Sequence, residues 1–179
     1  MKVLLRRVGD VSTEALVRAK EAIIRETGLP VLIDYHKLQP NLEAYNWKRR
    51  QYLASELLKT LGRVDGFLTL YLIDADGYEE GLNFVFGVAL PALGVGGVFL
   101  ARLRNEFYGW LPDEEKFLKR VEKEVLHELG HLLGLPHCPN PRCVMSFSNS
   151  ILEVDEKEAA FCEVCKKRLM SRLAGSGGY

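Results

Sequence analysis

The sequence predicts an α/β (α+β) fold, a sheet with helices packed on it followed by a small helical C-terminal part. Three observations lead there. Strand-like and helix-like segments mix through the first hundred residues, a pattern that places helices against a sheet. From Pro112 the character changes to helix, then to a loop dense in His, Cys, Pro and Asn, then to a final helix. All four cysteines and three of the four histidines fall in that last part.

The elements follow in order. Lys2 to Arg7 reads as a strand. Ser12 or Thr13 caps a helix in which Leu16, Val17, Ala19, Ile23 and Ile24 recur at helical spacing, until Gly28-Leu29-Pro30 stops it. Val31-Leu32-Ile33 begins a second strand, and Trp47 to Leu61 looks helical, ended by Gly62. Gly66 to Ile73 is a strongly apolar strand, and Asn83-Phe84-Val85-Phe86 and Val98-Phe99-Leu100-Ala101 read as two more, joined by a Pro/Gly loop. Residues 113 to 133 form a long helix capped by Asp113, with Leu118, Val121, Val125, Leu129 and Leu132 along one face. Asp155 and Glu158 read as the capping box of the last helix. Residues 1–134 are expected to form an upper part and 135–174 a lower part of one compact domain, with 175–179 a frayed tail.

Bulk properties exclude several classes. A chain of 179 residues suits one domain, and 47% hydrophobic with 27% charged residues supplies an ordinary core and surface. Lys plus Arg equals Asp plus Glu at 24 each, so no net field draws nucleic acid or anionic membrane. The runs Lys48-Arg49-Arg50 and Lys166-Lys167-Arg168 read as solvated helix faces. Gly81 to Ala101 carries no charge over 21 residues, but five glycines and Pro91 argue for strands and a loop over a membrane span. The start of the chain meets two arginines after three apolar residues, which reads as a strand, with no leader or propeptide, in a cytoplasmic monomer.

The long helix carries the chemistry. His127 and His131 are four apart, so a helix sets their rings on one side, one turn apart, where both reach one ion. Arg120 and Glu124 continue that line as a polar stripe. Gly134 takes the left-handed conformation that ends a helix, and Pro136 prevents it resuming, so the chain turns back and brings His137 to the ion. Three neutral imidazoles leave a fourth zinc position for water, as a catalytic site requires. Glu128, about 100° around the helix from His127, reaches that water as general base without ligating the metal. The plain alternative is an amphipathic helix with two incidental histidines, and Gly134 and His137 at the correct further offsets weigh against it. His36 has no such partner pattern.

Cys138, Cys143, Cys162 and Cys165 are spaced C-x4-C and C-x2-C with 18 residues between the pairs, close to the spacing of structural zinc sites. Four thiolates would close the tetrahedron, so this second zinc is expected to be structural, giving two zinc ions per chain. Two disulfides, or a redox-active Cys162-x-x-Cys165 pair, are the alternatives.

The stretch from His127 to His137 resembles the metzincin zinc signature. That resemblance implies a methionine turn beneath the metal, matched by Met145 in Cys143-Val144-Met145-Ser146-Phe147. Some metzincins have a metal-contacting tyrosine two residues further on, where this chain has Phe147. With Cys138 directly after the signature, then Cys143-x-Met145 and a later C-x2-C, the chain is similar to the archaemetzincins, dense in matches from His127 to Cys165. The resemblance implies a metzincin-like fold, a twisted mixed sheet with backing helices and an active-site helix above a zinc-stapled helical subdomain. It also implies a zinc metalloprotease acting on peptide or protein, with substrate added to an edge strand above the zinc. Gly97-Val98-Phe99-Leu100-Ala101 is the expected edge, against the alternative of an ordinary interior strand. Competing functions are a zinc-containing peptide- or protein-binding module, disfavoured by the intact Glu128, and a zinc-stapled nucleic-acid binder, disfavoured by the zero net charge.

Overall fold

In the computed structural model, residues 1–176 are described. In chain order they form β1 (Val3–Val8), α1 (Thr13–Thr27), β2 (Val31–Leu38), β3 (Tyr45–Asn46), β4 (Gln51–Leu53), α2 (Ala54–Leu61), β5 (Leu68–Ile73), β6 (Gly77–Tyr78), β7 (Gly87–Leu90), β8 (Val95–Phe99), α3 (Glu114–Leu132), α4 (Ile151–Glu156) and α5 (Glu163–Ser176). The main sheet runs β2-β1-β5-β8-β7, parallel throughout except β7, which lies antiparallel to β8 at one edge. A second sheet, β3-β4-β6, sits beside it.

Local signals account for most boundaries. Ser12 accepts a hydrogen bond from the Ala15 N–H and Gly28, at φ 71°, closes α1. Asp113 caps α3 by accepting from the Lys116 N–H. Fully buried apolar side chains run down α3 at Leu118, Val121, Val125, Leu126 and Leu129. Each contributes about 1.5–3 kcal/mol of burial. One core joins α1, α3 and the lower loops to one sheet face, and α2 covers the other. Two glycines in β8 let both helices come close. A Cβ on Gly96 would lie 3.4 Å from Leu132 Cδ1, and one on Gly97 would lie 2.7 Å from Leu58 Cδ2.

Several expectations need correction. Trp47–Leu61 is not one helix, because Asn46 Oδ1 accepts from the Lys48 and Arg49 N–H groups and turns the chain into a hairpin. Gln51–Leu53 then pairs with β3 and β6, and helix starts only at Ala54. Lys48-Arg49-Arg50 therefore lies at a hairpin tip. Asn83–Phe86 is not a strand; Phe84 and Phe86 pack edge to face, Val85 alone bridges to Gly77, and strand begins at Gly87. Leu100 and Ala101 lie past the end of β8. Gly97, Val98, Phe99 and Leu100 do not form an edge, since β8 is hydrogen-bonded to β5 on one side and β7 on the other. Asp155 and Glu158 do not cap the last helix. Asp155 lies in α4 and binds Arg120, Glu158 pairs with Arg142, and α5 begins at Glu163. The expected tail at 175–179 is helical through Ser176, and residues 177–179 lie outside the described residues. No helix among the described residues is long and apolar enough to cross a membrane.

Candidate active site

From Arg120 onward α3 faces inward with polar residues. Arg120, Glu124, His127 and Glu128 are all buried, so the stripe seen in the sequence is an interior one. Buried charge is costly unless paired. Arg120 meets that cost with a two-pronged ion pair to Asp155, at 2.8 Å to each oxygen, and bonds to Leu103 O and Asn105 Oδ1. Glu124 pairs with Lys157 at 3.1 Å, an approach outside hydrogen-bond geometry that leaves Glu124 Oε1 matched by charge alone.

Three imidazoles converge at the end of this stripe. Helix ends at Leu132, and Gly134, at φ 90°, reverses the chain with its N–H on His131 O. The returning strand of loop places His137 opposite the helix. Ring centroids are 4.7 Å apart for His127 and His131, 5.3 Å for His127 and His137, and 4.8 Å for His131 and His137. His127 Nδ1 lies 2.8 Å from Val144 O, and His131 Nδ1 lies 2.9 Å from Leu135 O. A carbonyl only accepts, so both Nδ1 atoms donate and both Nε2 atoms present lone pairs. Those two Nε2 atoms stand 3.2 Å apart. Facing lone pairs repel unless a cation lies between them, and two bonds of about 2.05 Å at tetrahedral angles would set them about 3.3 Å apart. Burial, above all, holds the three histidines below the ordinary imidazole range, in the neutral form that ligates.

Glu128 lies against β7, where Gly87 leaves it room. Burial first, then the Glu124 carboxylate, push Glu128 well above the usual carboxylate range, and Lys157 opposes them. Met145 is fully buried under α3, where a Cβ on Gly130 would overlap its Sδ. Its loop is tied back by Cys138 N–H to Met145 O at 3.0 Å and Val144 N–H to Ala160 O at 3.0 Å. Phe147 sits 5.3 Å from the His137 ring and offers no ligand atom. Beside His127 opens a cavity of about 250 Å³, walled by Leu82, Phe84, Phe86, Phe147 and Asn149.

The four cysteines also meet. Their Sγ atoms lie within 4.8 Å of one another, and Cys138 and Cys162 are 3.8 Å apart. A disulfide needs about 2.05 Å, whereas four zinc–sulfur bonds of about 2.3 Å set sulfurs about 3.8 Å apart. Burial works against the Cys162 thiolate, but the Cys165 N–H and the neighbouring thiols bring it down to about 7. The donor set fits a closed metal site.

The model of Peptidase family M54 matches residues 8–171. The chain belongs to Peptidase family M54. Its relatives there include the archaemetzincin of Saccharolobus solfataricus, 46% identical over 142 residues, which span 78% of this chain and 76% of that protein. The crystal structure of archaemetzincin from Methanopyrus kandleri is 39% identical, with a TM-score of 0.83, covering 97% of this chain and 96% of that one. A zinc-dependent peptidase from Methanocorpusculum labreanum superposes at a TM-score of 0.84 with 30% identity, covering 94% and 100%. Family M54 membership makes the chain a zinc metallopeptidase of the archaemetzincin type.

Sequence reasoning on this family M54 chain missed three parts of the site. Val144 O and Leu135 O are backbone atoms and leave no residue signature. Gly87 is, in the sequence, only one of the five glycines that interrupt the uncharged run from Gly81 to Ala101. Lys157 gave no signal, since its partner Glu124 lies 33 residues away in the chain.

Proposed function

We propose that this chain hydrolyses peptide bonds at the three-histidine site, with His127, His131 and His137 as zinc ligands and Glu128 as general base. The observation that carries the reading is the pair of Nε2 lone pairs 3.2 Å apart, beside a buried carboxyl on the next helical position. Zinc held there supplies a Lewis acid that polarises the scissile carbonyl and acidifies water. Glu128 takes the proton of the attacking water and returns it to the leaving amine nitrogen. Met145 supports the imidazoles from beneath, and the carbonyls of Val144 and Leu135 hold the ring orientation.

Substrate backbone adds to β7, the free edge of the sheet, and one substrate side chain enters the cavity lined by Phe84, Phe86 and Phe147. Cys138, Cys143, Cys162 and Cys165 hold a second, structural zinc. The test pairs metal analysis with a peptide-library digest of wild type and Glu128→Ala. Two zinc ions are expected in both proteins and cleavage only in wild type. Cleavage surviving in Glu128→Ala, or one zinc per chain, would overturn the assignment.

A further inference from the structure

Away from the zinc cleft, the hairpin of β3 and β4 walls a second cavity. It measures about 540 Å³, within the range of small-ligand pockets. Its lining includes three aromatic rings, Tyr45, Trp47 and Tyr78, and two carboxylates, Glu43 and Glu56, with the Thr60 hydroxyl. Among the described residues no lysine or arginine lines it, in a chain whose cations and anions are equal in number.

The rings are set to receive something. Trp47 is 73% exposed, a large apolar surface left in water. Its ring meets Tyr45 edge to face, 4.8 Å between centroids at 87°, so the two form a right-angled corner. Aromatic faces attract cations electrostatically, best when carboxylates share the site. A cation from outside the lining already meets one of these rings, because the Arg49 guanidinium lies 3.9 Å over the Tyr78 ring. Arg49 donates to Leu82 O and Asn83 O, residues outside the cavity lining, and leaves the Trp47 corner to a further cation. The hairpin tip also holds Arg50 at φ 57°, a conformation that side chains rarely adopt. Glu56 pairs with Lys59 at 3.5 Å, both half exposed, a contact weak enough for an incoming ammonium to displace.

We infer that this cavity binds the ammonium head of a lysine-type side chain, free or methylated, carried by a peptide. The Tyr45–Trp47 corner takes the alkylammonium, Glu43 and Glu56 neutralise it, and Leu53 contacts the aliphatic stem. The site stands apart from the zinc chemistry, so either reading can fail without the other.

The test uses the zinc-loaded full chain carrying Trp110→Phe, which leaves Trp47 as the only indole of the two. Trp47 fluorescence is followed while adding N-acetyl-trimethyllysine methylamide, its unmethylated lysine counterpart, or the norleucine counterpart as a neutral isostere. Both cations are expected to give saturable changes, with norleucine roughly tenfold weaker. Glu43→Gln with Glu56→Gln is expected to weaken the cations about fivefold or more while peptide hydrolysis is unchanged. Norleucine binding as tightly as lysine would make the cavity an apolar groove. Cation affinity indifferent to the two glutamine substitutions, or no saturable change with any probe, would equally overturn the assignment.

Discussion

A Cβ on Gly87 would lie 2.9 Å from Glu128 Cγ, 3.0 Å from Glu128 Oε1 and 2.8 Å from the Gly97 carbonyl oxygen. The Gly97 carbonyl is fixed in the sheet and cannot retreat, so a side chain at this position displaces Glu128, the proposed base. Gly87→Ala is expected to lower kcat/KM by about a hundredfold, the usual cost of a misplacement near 1 Å. Metal analysis should still find the wild-type zinc content, since no ligand is touched. Among single residues, the gathering of the three histidines and of the four cysteines was legible, because their intervals bring side chains of one kind to one point. Gly87 and Lys157 were not, because each matters only to a neighbour that folding brings from far along the chain.

At the scale of elements, capping residues and helical periodicity located α1 and α3 within a residue or so. Short strands were harder. The β3–β4 hairpin depends on one asparagine side chain turning the backbone, and β4 holds its place through Gln51 bonding to Asp76 and Asn83 O. Neither has a period to read. Which strand forms the edge is a property of sheet order, invisible in any local window, and it moved the expected docking strand from β8 to β7. Hydrogen exchange with a slowly cleaved peptide bound to the Glu128→Ala protein should therefore slow amides within residues 87–90. Slowing confined to 95–99, with 87–90 unaffected, would count against substrate addition at β7.

Across the whole molecule, the segment from α4 to α5 is fastened to α3 and α1 by charge as well as by core packing. Arg120 grips Asp155, Lys157 grips Glu124, and Lys166 reaches Glu26. Burial tends to raise the Asp155 carboxyl, but the Arg120 pair outweighs it and the net value is lowered. A folded value below the unfolded one stabilises above about pH 4, the ordinary carboxylate range, and that contribution disappears as pH falls through the folded value. Asp155→Asn should lose about 3 kcal/mol at pH 7 in denaturant titrations, chiefly by leaving buried Arg120 unpaired. Its stability should also fall less steeply than wild type on acidification below pH 4. The cysteine cluster joins the loop after His137 to the start of α5. On the proposal that these cysteines hold a structural zinc, Cys162→Ser is expected to lower the measured zinc content by one ion per chain and the melting temperature by about 10 °C.

The support given to His127 and His131 comes from the carbonyls of Val144 and Leu135. No point mutation deletes a carbonyl. A saturation scan of this chain should therefore find no tolerant-to-intolerant step at positions 144 or 135 that tracks hydrogen-bonding ability. Intolerance would instead surface at Gly130 and Gly134, which set where those carbonyls lie: Gly130 by yielding its volume to Met145, Gly134 by its φ of 90° and its approach to Arg172. A neutral oxygen also adds no charge to the centre. The metal would keep the full electrophilic character that a carboxylate partner behind each imidazole would dilute.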